Sequence, residues 1–199
     1  MNSGKLIVIS GPSGVGKSTV ISRIMEQHPD MHFSVSATTR PMRGADVDGV
    51  TYHFKTIPQF EAMIAEGGFL EHARYNGNYY GTPKAPVEEH LQSGGDVIMD
   101  IDVQGAMQVR ENTSEAILIF LVAKTFDVIL ERLRSRGDTS EEDIEKRLQQ
   151  AKWEYSQAGR YDYIVVSDKL EETADAIEAI IKAEKHKADR MVKVLGLEG

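Results

Sequence analysis

Eight consecutive residues near the start of the chain could cradle a phosphate: Gly11, Pro12, Ser13, Gly14, Val15, Gly16, Lys17 and Ser18, in the pattern Gly-x-x-x-x-Gly-Lys-Ser, with Thr19 directly after. Glycines let the backbone curl until several N–H groups converge on one anion. A helix starting at about Lys17 adds its positive end. A lysine at this place reaches the β- and γ-phosphates of a nucleotide, and the Ser18 hydroxyl can ligate Mg²⁺. A glycine-rich turn that binds nothing could carry the same residues, so the flanks decide. Leu6 to Ile9 is an unbroken aliphatic run, as in a strand buried on both faces. Val20, Ile21, Ile24 and Met25 share one face of the helix that follows. Strand, loop and amphipathic helix come in the order the motif needs.

Phosphoryl transfer asks little covalent chemistry of a protein; it asks for in-line placement and positive charge on the moving group. Two sets of arginines could supply that charge. Arg40 and Arg43 flank a Pro-Met pair in a polar loop that ends at Gly44, which suits clasping a phosphate monoester. Arg132 and Arg136 are four apart on a helical pattern, and Arg147 follows on the next helix. Arg134 has the same local claim as its neighbours. The alternative for this second set is solvated charge paired with Glu131, Glu142 or Glu145. The turn from Gly137 to Glu141 could let the helical pair close as a lid. Asp100 and Asp102 alternate with Ile101 at the end of an apolar run, so both point to one side. Asp100 is placed to fix magnesium through water, and Asp102 to face the other substrate; alternatively, both cap the next helix.

The chain has 199 residues, 41% hydrophobic and 27% charged, enough for one domain with inserts and a sizeable core. Without a cysteine it has no disulfide, thiolate metal site or cysteine nucleophile. The histidines lack zinc-like spacing: His28 and His32 are separated by Pro29, which breaks any helix that would align them. A net charge of −8 argues against general nucleic-acid or anionic-membrane binding. No segment is apolar for long enough to span a bilayer, and the early strand leaves no room for a signal peptide, so a cytoplasmic protein is expected.

Helices are expected from about Lys17 to Gln27, Pro58 to Glu66, Lys84 to Gln92 (closed by Gly94 and Gly95), and Phe126 to Leu133. Another should start at a Thr139–Glu142 capping box and run to about Gln157, and a last one should begin near Glu171. The basic stretch Lys182 to Lys187 reads as a solvated helix end. Buried strands are expected at Val97 to Asp102, Ile117 to Val122 and Tyr163 to Val166. Short strands should lie at Phe33 to Ser36, Tyr52 to Phe54 and Phe69 to Tyr75, with a hairpin arm at Gly77 to Gly81. Alternating strands and helices imply an α/β fold, a doubly wound parallel sheet. The region 33–92 does not divide into βαβ units and is expected to be a small mixed α+β insert over the carboxyl ends of the sheet.

A GTPase would need an Asn-Lys-x-Asp stretch, and the chain has none. A motor ATPase would normally bring more chain. A short chain with an insert suits a kinase whose second substrate docks on that insert. Six stretches carry a resemblance: the P-loop; Ser34 to Arg43; Gly49 to Phe54; Phe69 to Glu71; Gly77 to Gly81; and Asp100 to Gly105. In this order they resemble guanylate kinase, over most of the chain. The resemblance implies ATP + GMP ⇌ ADP + GDP, Mg²⁺ as cofactor, and a P-loop core (1–32, 93–125 and 158–199), a GMP-binding insert (33–92) and a helical lid (126–157). It implies that Arg40, Arg43, Tyr52 and Tyr80 hold the GMP phosphate. Ser36, Glu71, Thr82 and Asp102 would read guanine, and Lys17, Arg132, Arg136 and Arg147 would serve the transferring group.

The residue types suit that base. Guanine presents N1–H and a 2-amino group as adjacent donors, and a carboxylate such as Glu71 accepts both. Adenine would turn its N1 lone pair toward a group with nothing to donate, leaving a buried charge unpaired. The Thr82 hydroxyl could donate to O6. Two positions depart from the family pattern: Thr82 stands where a serine is expected, and Ser167 where an asparagine is common beside adenine. With no cysteine and no histidine triad, direct transfer is simpler than a covalent intermediate. The expected partners are GMP and ATP alone, with no nucleic acid or membrane, acting as a monomer or homodimer; dGMP could replace GMP. The rival readings are another nucleoside monophosphate kinase and a guanylate-kinase-like interaction module that has lost catalysis.

Overall fold

A computed structural model describes residues 4–135 and 141–197. The aliphatic run becomes β1 (Leu6–Ser10), with every residue buried. After the glycine loop comes α1 (Lys17–Gln27), which buries Val20, Ile21 and Ile24. Three two-residue strands follow, β2 (His32–Phe33), β3 (Ala37–Thr38) and β4 (His53–Phe54). Then come α2 (Ile57–Ala65), β5 (Phe69–Tyr75), β6 (Asn78–Pro83) and α3 (Lys84–Gln92). β7 (Val97–Asp100), α4 (Val103–Asn112), β8 (Ile117–Ala123), α5 (Phe126–Ser135) and α6 (Glu141–Ser156) continue the chain. It ends with a 3₁₀ turn at Ala158–Arg160, β9 (Tyr163–Ser167), α7 (Leu170–Lys185) and α8 (Ala188–Leu195).

The larger sheet has the strand order β2-β7-β1-β8-β9. The β2–β7, β1–β8 and β8–β9 pairs are parallel, with Ile7 opposite Ile117 and Ile119 opposite Tyr163. This is the α/β parallel sheet that alternation of strands and helices implied. The smaller sheet has the order β4-β3-β6-β5, with β5 and β6 an antiparallel hairpin. Contacts divide the chain into two compact units. One comprises 4–6, Asp30–Met99 and Gln104–Ala116, and the other Ile7–Pro29, Asp100–Val103 and the chain from Ile117 onward.

In the first unit, α2 starts with a full capping box: Thr56 and Gln59 each accept from the other's backbone N–H. It sets Phe60 into a small core, where the ring stacks on Phe69 at 4.3 Å and Tyr79 at 5.2 Å between centroids. In the second unit, α1 and α7 pack together. Glu184, buried on α7, accepts from Tyr163 Oη at 2.5 Å and pairs with Lys187 Nζ at 2.6 Å.

Three local expectations change. The strand expected over Phe33 to Ser36 stops at Phe33, and the chain re-enters strand pairing at Ala37 in the smaller sheet. The strand expected to reach Asp102 ends at Asp100. β9 is buried on one face only: α7 packs against it, while Ile164 and Val166 are 55% and 51% exposed. The basic stretch Lys182 to Lys187 is the exposed end of α7, with only Glu184 buried; Lys187 pairs with Glu184, and α8 follows. Of the capping box at Thr139–Glu142, the first two residues lie outside the described residues. Among the described residues no helix is long and apolar enough to cross a membrane.

Candidate functional site

The phosphate loop belongs to the second unit. Gly11, Gly14 and Gly16 have φ of +149°, +85° and +100°, the half of backbone space that side chains avoid. Gly11 is further constrained by space, since a Cβ there would stand 2.4 Å from the Leu121 carbonyl oxygen. α1 begins after Gly16 with no side-chain cap, so the loop leaves helix-end N–H groups for an anion. Val15 N–H donates to the Pro12 carbonyl at 3.2 Å. Lys17 Nζ donates back to the Gly11 and Pro12 carbonyls at 2.7 and 3.4 Å. Ser13, Ser18 and Thr19 are exposed.

Ser167 supplies a contact that its sequence position did not reveal. Its buried hydroxyl donates to the Val15 carbonyl at 2.8 Å, tying β9 to the crown of the loop. Ser167→Ala removes the tie between β9 and the loop. On the phosphate-binding role expected of this loop, the KM for a nucleoside triphosphate should rise about tenfold while the KM for a monophosphate holds. Steady-state kinetics with each substrate varied in turn makes the check.

Around the loop stand carboxyl groups in unlike environments. Burial holds Asp100, at the end of β7, above the ordinary carboxylate range, and the Lys17 ammonium pulls it back down. Asp102 lies beyond the strand and is exposed. It acts electrostatically on Glu154 of α6 and on Tyr161. Glu154, only 8% exposed, is pushed up by burial, against the Gln150 amide and Lys17, with Asp102 pushing the same way as burial. Tyr161 rises to about 12, chiefly through burial. Sequence reasoning missed Glu154, whose surroundings come from distant parts of the chain. Among the described residues no three histidine, aspartate or glutamate side chains gather as a metal centre. Ser18, exposed at the start of α1, and half-buried Asp100, which feels the Lys17 charge, are of the oxygen types that Mg²⁺ takes, since it keeps its waters and binds one or two protein groups plus substrate phosphates. Arg147 is exposed on α6 and Arg132 lies within α5. Arg136 lies outside the described residues.

The first unit holds the other set. Glu71 on β5 stands opposite Thr82 on β6, and Thr82 Oγ1 donates to Glu71 Oε1 at 2.7 Å, both residues being buried. A hydroxyl has one proton, so Thr82 must turn away from Glu71 before it can donate to a base oxygen as expected. Arg40 is likewise engaged. Its guanidinium meets Asp46 at 2.7 and 3.3 Å and lies 5.1 Å from the centre of the Tyr52 ring. The Tyr52 and Tyr80 rings meet edge to face at 6.1 Å. The Arg40 guanidinium, helped by the Arg43 backbone N–H, holds Asp46 below the ordinary carboxylate range. Arg43 is exposed, and half-buried Ser36 receives the His53 N–H on its carbonyl. Of the residues expected to serve the monophosphate, Arg40, Tyr52 and Tyr80 form one cluster, and Glu71 with Thr82 another. Asp46 was missed; a lone carboxylate three residues after Arg43 was the available signal.

A parallel sheet with a glycine loop after its first strand, and a separate sheet with a buried carboxylate and arginines in the loop after β3, are the features of a nucleotide-binding transferase of the kinase class. Comparison with known proteins gives the family. The guanylate kinase family model matches residues 3–184. The guanylate kinase of Thermus thermophilus is 48% identical over 192 residues, spanning 96% of this chain and 87% of that protein. That of Carboxydothermus hydrogenoformans is 45% identical over 199 residues, 100% of this chain and 98% of the relative. The crystal structure of guanylate kinase from Anaplasma phagocytophilum superposes with a TM-score of 0.76 at 32% identity, covering 96% of this chain and 90% of that one. The chain belongs to the guanylate kinase family.

Proposed function

We propose that this chain moves the γ-phosphoryl group of ATP directly onto the phosphate of GMP or dGMP, giving ADP and the corresponding diphosphate. The observation that supports this reading most is the buried pair of Glu71 and Thr82. A desolvated carboxylate beside a hydroxyl answers the donor–donor–acceptor edge of guanine and no other common base. The backbone N–H groups of 11–19 hold the ATP phosphates, and Lys17 exchanges its carbonyl partners for β- and γ-oxygens. Arg40, Arg43, Tyr52 and Tyr80 hold the GMP phosphate, Arg40 trading part of its pairing with Asp46 for it. Ser36 and Asp102 contribute to reading the base, and Arg132, Arg136 and Arg147 neutralise charge on the transferring group. Mg²⁺ held by Ser18 and, through water, by Asp100 would supply further positive charge to the ATP phosphates. The substrates are free cytoplasmic nucleotides on this reading, taken up by a monomer or homodimer.

A coupled assay of ADP formation with GMP, dGMP, AMP, CMP and UMP tests it. Turnover should be rapid with GMP, measurable with dGMP, and lower by orders of magnitude with AMP. No turnover with GMP, or equal rates with GMP and AMP, would reject the reading.

A further inference from the structure

β5 stands at the end of the smaller sheet's strand order, with β6 on one side. The opposite edge of such a strand presents backbone N–H and C=O groups that need partners. Side chains of α4 meet them. Gln108 Oε1 accepts the His72 N–H at 3.1 Å while its Nε2 donates to the His72 carbonyl at 3.0 Å. One side-chain amide thus pairs both backbone groups of one residue, as a neighbouring strand would. One turn further, Asn112 Nδ2 donates to the Leu70 carbonyl at 3.1 Å. On the same helix face, three residues before Gln108, a Cβ at Gly105 would stand 2.8 Å from Glu71 Oε2. Helix α4 therefore grips the residue on each side of Glu71 and leaves space for the carboxylate between.

The grip falls where β5 is least regular. Its register against β6 shifts between Phe69 and Glu71, and such a bulge bends the strand and re-aims its side chains. Bidentate recognition by a carboxylate needs a fixed angle as well as a fixed place. We propose that Gln108 and Asn112 are positioning residues for base selection: they hold the irregular edge of β5 so that Glu71 meets the two adjacent N–H donors of a guanine base in one orientation. This rests on Glu71 reading the base.

Gln108→Ala should raise the KM for GMP about tenfold and narrow the GMP-to-AMP ratio of kcat/KM by a similar factor. The KM for ATP and kcat at saturating GMP should stay within about twofold, and the His72 amide should exchange faster with solvent. Gln108→Asn keeps both donor and acceptor on a shorter arm, so it should fall between wild type and alanine; it also serves if the alanine variant does not fold. A lowered melting temperature with an unchanged GMP-to-AMP ratio in both variants would overturn the proposal, leaving Gln108 a purely structural residue. Glu71→Gln, measured alongside, separates the two claims. A narrowed ratio there and an unaltered one in the Gln108 variants rejects the grip alone. An unaltered ratio in Glu71→Gln rejects the base-reading role and the grip with it.

Discussion

Replacing Lys17 by alanine is expected to lower kcat by about 10²–10³-fold, as the loss of a preorganised positive charge does elsewhere, equivalent to about 3–4 kcal/mol of transition-state stabilisation. What decides this is where the ammonium charge acts. In this structure Lys17 Nζ lies on the Gly11 and Pro12 carbonyls, and bound ATP would draw it to the phosphates. Negative charge there shifts as the γ-phosphoryl group leaves, so an ammonium at the β–γ bridge gains most in the transition state. The loss should therefore appear mainly in kcat, with a smaller rise in the KM for ATP. The loop should survive the change, since its shape has other supports: the Val15 N–H on Pro12, the Ser167 hydroxyl on Val15, and Gly11 against Leu121. Steady-state kinetics with a thermal melt of the same sample make the test. An unchanged kcat would remove Lys17 from the chemistry.

The contrast between Lys17 and Ser167 indicates what a sequence discloses. The glycine loop and the helix that opens from it were readable because their signal is local: the glycines, the lysine and the hydroxyl lie within eight positions, and backbone geometry does the rest. β5, α3 and α1 were readable for a similar reason, their bounds being set by adjacent glycine, proline and apolar spacing. The partners of these groups were not. Ser167 reaches Val15 across 152 positions and Gln108 reaches His72 across 36, and no periodicity reports a contact of that kind. Ile164 and Val166 misled because a β-branched run has the same pattern whether a second layer covers it or not. The fold around them decides exposure. Asp46 lies between these cases. It is close enough to Arg40 to be noticed, yet its engagement depends on the loop folding back through the Arg43 N–H.

A common device runs through both units: polar groups that a nucleotide would take are already paired within the protein. Lys17 is on backbone carbonyls, Arg40 on Asp46, and Thr82 on Glu71. Such pairing lowers the cost of keeping these groups desolvated without ligand. On the proposed reading, substrate binding would be an exchange of partners, with discrimination set by whether the incoming group matches the one displaced.

Glu71→Gln applies that logic to a single atom, and the expected result is a GMP-to-AMP ratio of kcat/KM narrowed by about 10²–10³-fold. The amide oxygen can keep the Thr82 hydroxyl as donor, so the 2.7 Å contact and the hairpin should be retained. The amide nitrogen then stands where Oε2 was, beside Gly105. It presents N–H toward guanine's own donors and loses the charge that strengthened both bonds. Toward adenine the same N–H meets the N1 lone pair, which the carboxylate could not satisfy. GMP should therefore bind about 10²-fold more weakly and AMP somewhat better, while the KM for ATP stays put because the phosphate loop is untouched. Unaltered selectivity with a folded variant would place guanine recognition on residues other than Glu71.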